Sequence, residues 1–298
     1  MRLKNPFRLL AAERRAFLAR DRGTWGDHLA QVRAFLGSGL SGAEPGRAVL
    51  VLGAGTGLEV PWALAPPRTT GWDADPWSRL GTLLRHRRWA PWCFEDVTGG
   101  LGDLITLAGR CVRSERSGRR RNPADAALRL AGLLPSLHPD AAPLARWIAG
   151  HQPKSILAAN LMGQFGSFAE RVVESAFVPH SPWEPDSERP DPLAEALDAW
   201  TLRALRAFLA VLRDSGARLW LVHDRGVIFG DPQVTLGPLR DPWTAQLVSR
   251  DTLVVSDPLL GLDVRRELEG FHVEQQVRWL WPLAPGQLHV VEALAARP

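Results

Sequence analysis

Short apolar runs alternate with amphipathic stretches along most of the chain, which is the pattern of strands laid between helices. Leu29, Val32, Phe35 and Leu36 recur at helical spacing, and Phe7, Leu10, Phe17 and Leu18 punctuate an earlier amphipathic stretch. Residues 1–45 therefore read as one or two amphipathic helices, an N-terminal helical cover or a piece packed on the sheet edge, ahead of an α/β domain over residues 46–298. Val49 to Leu52 is a buried strand, and a second strand ends at Asp73. A helix follows from Pro76 to about residue 88, then a third strand over Ala90 to Glu95. Residues 99–150 hold three expected helices, near 101–112, 124–134 and 141–150, where a minimal fold needs one. Ser155 to Asn160 is the fourth strand, Asp198 to Arg213 a helix, and Ala217 to Val222 the fifth strand. Two further strands, 271–281 and 287–294, close as a hairpin. The pattern gives a doubly wound, seven-stranded, mostly parallel sheet with a helical insertion between strands 3 and 4.

The chemistry gathers after the first strand. Gly53, Ala54, Gly55, Thr56 and Gly57 form a glycine-rich turn, and a helix is expected next, with Pro61 in its first turn. Small residues let backbone approach a ligand, and a helix N-terminus supplies free N–H groups. A dinucleotide fingerprint wants a small third residue where Leu58 stands. The glycines instead read G-x-G-x-G, and Asp73 lies at the end of the second strand, where a carboxylate accepts from ribose hydroxyls.

On the glycine turn and Asp73 the chain resembles the class I S-adenosylmethionine-dependent methyltransferases. The resemblance implies a sheet whose last strand runs antiparallel, S-adenosyl-L-methionine as cofactor, and methyl transfer to an acceptor. It places Gly53 to Gly57, Asp73 and Ala74 around the cofactor. Asp96, with Val97, stands where a carboxylate meets the adenine amino group, and Asn160 where the methionine part or the acceptor lies. A helix N-cap is the alternative for Asn160. Gln164 and Phe165 follow as substrate contacts. The family often carries an acid two positions before the first glycine, and here that residue is Val51. Asn160-Leu161-Met162-Gly163 is not the Asn-Pro-Pro-aromatic motif of the branches that methylate amino groups of DNA and protein glutamine.

Composition narrows the rest. Over 298 residues the net charge is +4 and the pI 9.9, from an arginine-rich usage spread along the chain. Cys93 and Cys111 have no CxxC partner or Cys/His cluster, so neither a disulfide framework nor a metal site is expected. No run of 18 apolar residues suggests a membrane span, and the charged N-terminus does not read as a signal peptide, so a cytoplasmic protein is expected. His180, in the proline-rich stretch 179–192, is a candidate base, as Asn160 is a candidate catalytic group. Arginines crowd residues 114–123, which raises RNA as a second acceptor class beside a small molecule. A catalytically inactive binding or assembly protein is the third reading.

Overall fold

The computed structural model describes residues 25–44, 46–55, 57–87, 89–116, 123–177, 192–229, 254–284 and 287–298. Thr56, His180, residues 1–24 and the arginines at 117–122 lie outside the described residues.

The element order is α1 (Gly26–Ser41), β1 (Val49–Leu52), β2 (Thr69–Trp72), α2 (Pro76–His86), β3 (Trp92–Cys93), α3 (Leu101–Arg116), α4 (Pro123–Leu133), α5 (Ala142–His151) and β4 (Ser155–Ala159). There follow α6 (Phe165–Phe177), α7 (Pro192–Asp214), β5 (Arg218–Phe229), β6 (Val254–Ser256), α8 (Val264–Glu267), β7 (His272–Ala284) and β8 (Gln287–Arg297). The strands lie in the order β3-β2-β1-β4-β5-β8-β7, with β6 paired to the far end of β5. β1, β2, β3, β4 and β5 pair in parallel. β8 inserts antiparallel between β5 and β7. The expected mostly parallel sheet with an antiparallel last strand is present, and α3 to α5 form the insertion between β3 and β4.

All four residues of β1 and all five of β4 are buried, because both faces of the sheet are covered. Leu50, Leu52, Ile156, Ala158, Leu219 and Leu221 face the helices α3, α4, α6 and α7. Val49, Val51, Leu157, Trp220 and Val222 face the other way and meet Val32, Phe35, Leu36 and Leu40 of α1. The period-2 alternation divides each strand between the two cores. Gly39 lets α1 lie directly on Trp220: a Cβ there would stand 2.8 Å from the indole ring.

One expected helix is absent. Between β1 and β2 the chain makes only a 3₁₀ turn, Trp62–Leu64. Pro61, Pro66 and Pro67 lie within this short connection, and proline lacks the N–H that a continuing helix requires. Trp62 is buried there, stacked on Trp92 at 5.6 Å between ring centroids, and α1 occupies the sheet face beside it.

Candidate functional site

The glycine turn holds its shape through positive φ angles at Gly53, Gly55 and Gly57, +61°, +50° and +72°. A side chain at any of them would be strained. Several of its polar groups are taken up by neighbours. The Gly55 N–H donates to Asp73 Oδ2 at 2.7 Å, the Gly57 N–H to the Ala54 carbonyl at 3.1 Å, and the Ala54 N–H to the Trp72 carbonyl at 3.3 Å. His86 Nε2 reaches the Gly57 carbonyl at 2.8 Å, and Arg33 Nε donates to the Leu58 carbonyl at 2.7 Å.

Asp73 follows β2 and faces this turn. Its Oδ1 accepts from the Asp75 N–H at 2.8 Å. Burial raises its carboxyl above the ordinary range, against the opposing pull of these N–H bonds and the Ser78 hydroxyl. Asp75 caps α2 through the Trp77 N–H at 3.1 Å, while its buried Oδ2 has no hydrogen-bond partner among the described residues.

A cavity of about 760 Å³ opens over the carboxyl ends of the strands, within the size range of small-molecule sites. This is where open α/β sheets place their ligands. Above β1, β2 and β3 it is lined by Gly53, Gly55, Asp73, Ala74, Asp96 and Val97. Above β4, β5 and β8 it is lined by Gly163, Gln164, Asp224, Trp281 and His289. The described lining holds eight carboxylates, those of Asp73, Asp75, Glu95, Asp96, Glu170, Asp198, Asp224 and Asp257, against one guanidinium, Arg171. Arg171 is itself paired with Glu174 at 2.9 Å. Partial burial, then the Asp198 and Glu174 carboxylates, push the Glu170 carboxyl above its ordinary range. The interior is therefore an acidic pocket within a chain of net positive charge.

Several expected site residues serve other purposes. Asp96 lines the cavity, but its carboxylate caps α3: Oδ1 accepts from the Thr98 N–H and hydroxyl at 2.9 and 2.7 Å, and Oδ2 from the Gly100 and Leu101 N–H groups at 3.2 and 2.7 Å. Asn160 is not part of the lining, nor does it cap a helix. Its backbone is left-handed, φ +47°, and its buried amide Nδ2 donates to Glu59 Oε1 at 2.9 Å and lies 3.1 Å from His28 Nε2. Phe165, expected at the acceptor, is a core residue packed on Phe208 at 5.5 Å. Ala54 packs into the α1 face of the core, and Gly57 sits against Thr82 and Trp62, so neither reaches the cavity.

Sequence reasoning missed the aromatic end. Trp25 and Trp281 line the cavity and meet edge to face at 4.6 Å. His28 stacks on Trp281 at 3.8 Å, and the Trp279 indole N–H donates to His28 Nδ1 at 3.1 Å. The only signal was a count of 13 tryptophans, which says nothing about where they meet. Among the described residues no group of three or more His, Cys, Asp and Glu is arranged to hold a metal, and no helix is long and apolar enough to cross a membrane. Cys93 and Cys111 are free thiols.

No family model matches the chain, and no curated protein is significantly similar to it. Among solved structures it is similar to one from Rhodobacter sphaeroides, named among the Zn-dependent alcohol dehydrogenases. That likeness covers 86% of this chain and 87% of the other, at 13% identity and a TM-score of 0.34. Similarity at that score carries no weight for activity.

Proposed function

We propose that the protein is an S-adenosylmethionine-dependent methyltransferase with a small-molecule acceptor. The observation that carries this reading is the meeting of a glycine turn with Asp73 and Asp75 at the floor of an acid-lined cavity. The unpartnered Asp75 Oδ2 and the remaining lone pairs of Asp73 are acceptors suited to a ribose diol. Val97 and Leu101 offer an apolar wall for a base. The cofactor supplies an activated methyl group on a cationic sulfonium. Carboxylates favour such a cation and disfavour the phosphates of a dinucleotide or of RNA. The sheet order, with its antiparallel strand inserted before the last, also fits the resemblance seen in the sequence.

Methyl transfer asks little acid–base chemistry of the protein. Its residues bind and orient the two partners and exclude water. Asp73 and Asp75 hold the cofactor end, Gly53 keeps the floor open, and Trp25 and Trp281 close the opposite end. Calorimetric titration with S-adenosylmethionine and S-adenosylhomocysteine tests the reading. Asp73→Ala is expected to weaken binding by about 1–3 kcal/mol, through lost charge-assisted hydrogen bonds and a loosened glycine turn. Wild-type affinity in that variant would refute the ribose assignment. No binding of either compound to the folded wild type would refute the function.

A further inference from the structure

The half of the cavity away from the glycine turn has its own character. Asp224 sits near the end of the parallel stretch of β5, next to a register shift between Asp224 and Gly226. Only 6% of its surface is exposed, and Oδ1 is buried without a hydrogen-bond partner among the described residues. Oδ2 lies 3.2 Å from His289 Nδ1. A buried carboxylate is retained where a positive partner or hydrogen-bond donors compensate its desolvation. The imidazole faces one oxygen, and the other is left for a ligand.

Two more features shape the same space. Trp281 is 5% exposed, lines the cavity and is held rigid by the His28 ring stacked on it at 3.8 Å. Trp25 meets the same indole edge to face at 4.6 Å and His289 lies 5.2 Å from it, so a cation is placed only at the part of the ring that lines the cavity. Gly163, in the segment leaving β4, lies against Asp224: a Cβ there would stand 3.1 Å from Asp224 Cβ. The same Cβ would stand 3.4 Å from Asp224 Oδ2, so a side chain at 163 would crowd the carboxylate further. Asp257 and Glu170 add negative charge at the cavity wall, and Arg171, the only described guanidinium there, is engaged with Glu174.

Resting on the methyltransferase reading above, we infer that the acceptor is a small basic amine, held as a cation by Asp224 against the Trp281 ring. An ammonium sheds one proton before its nitrogen lone pair can take a methyl group. That proton passes along the Asp224–His289 pair, whose Oδ2 and Nδ1 lie 3.2 Å apart with His289 Nε2 3.0 Å from Gln287 Nε2, and on to solvent. The nitrogen lone pair then forms the new N–C bond as the methyl C–S bond breaks, its electron pair leaving on the neutral thioether of S-adenosylhomocysteine.

The test titrates the full-length protein, with and without saturating S-adenosylhomocysteine, with benzylamine, benzyl alcohol and benzoate, read by calorimetry and tryptophan fluorescence. The three share a ring and differ in charge. Benzylamine is expected to bind roughly tenfold or more tightly than the alcohol, with benzoate weakest. Asp224→Asn is expected to bring amine and alcohol to similar affinity while S-adenosylhomocysteine affinity stays as in the wild type. Benzoate binding as well as benzylamine, an amine preference that survives in Asp224→Asn, or no amine binding at millimolar concentration would each overturn the inference. Should that variant fail to fold, the wild-type ranking decides alone. The cofactor titration separates the two claims. An amine preference without S-adenosylhomocysteine binding leaves the amine site and removes the methyltransferase; the converse result removes only the amine.

Discussion

Replacing Asp96 by alanine separates a structural carboxylate from a ligand-binding one. Its two oxygens accept four hydrogen bonds within the turn that starts α3, three of them from backbone N–H groups. The bonds to the Thr98 and Leu101 N–H groups, 2.9 and 2.7 Å, are well formed, and those residues are only 2% and 0% exposed. Water cannot easily replace the lost acceptor there. A lost N-cap alone costs about 1–2 kcal/mol, and a charge-assisted bond to a buried donor about 1.5–3 kcal/mol, not fully additively. A loss of roughly 2–4 kcal/mol follows for Asp96→Ala. The unfolding entropy of a 298-residue chain is roughly 0.6 kcal/mol per kelvin, so the melting temperature should fall by roughly 3–6 °C. Asp96→Asn keeps one acceptor oxygen and should lose about half as much. Circular dichroism melts of the three proteins, paired with cofactor calorimetry on each folded variant, give the answer. A melting temperature within about 1 °C of wild type, together with abolished cofactor binding, would show that Asp96 serves the ligand rather than the helix.

Two other perturbations reach different parts of the molecule. Glu292 accepts from Arg278 Nε and Gln276 Nε2, each at 2.6 Å, with His223 Nε2 at 3.4 Å. Burial opposes its ionisation, but these donors hold its carboxyl down at about 2, below the ordinary 4.5. Because the folded-state value is depressed, its stabilisation is complete above about pH 4.5 and is lost as pH falls towards 2. Discounted for the exposed Arg278, it amounts to about 2 kcal/mol. Urea titrations of Glu292→Gln and wild type should differ by that much at pH 7 and converge near pH 2; a constant difference would contradict the assignment. Gly53→Ala introduces a Cβ at φ +61°, 3.0 Å from Leu161 Cδ1. It should cost about 1–2 kcal/mol of stability in a urea titration and weaken S-adenosylhomocysteine binding in calorimetry, whereas unchanged values would mean that the turn relaxes freely.

What was legible in the sequence was whatever depends on local period. VLVL and SILAA read as buried strands because both sheet faces are covered, and the helices of the insertion announced themselves by apolar spacing. The helix expected after the glycine turn failed because three prolines and the docking of α1 outweighed the usual strand–turn–helix habit. Asp96 and Asn160 stood at plausible strand ends, yet a carboxylate near a helix start is drawn to free N–H groups, and Asn160 was claimed by residues 101 and 132 positions away in sequence. Pairings of that range are invisible to periodicity. The aromatic end was hidden for the same reason: Trp25 meets Trp281 only because the β7–β8 hairpin folds back beside β5.

The missing helix also decides which ligands the glycine turn can serve. A pyrophosphate site depends on free backbone N–H groups aimed outward from a helix N-terminus. Here, among the described residues between β1 and β2, only the 3₁₀ turn follows, and the Gly55 N–H is turned inward onto Asp73. Among its described residues the turn therefore places no dipole-backed donor array against the cavity, and beside it stands the Asp73 carboxylate. Inside a low-dielectric cleft such charges act more strongly than the +4 net charge spread over the outside of the chain. On the proposed function, the glycine turn without that helix serves as the floor of a pocket for positive charge. The sulfonium of the proposed cofactor and the ammonium of the inferred acceptor satisfy that requirement together, and a phosphate-bearing ligand satisfies neither part of it.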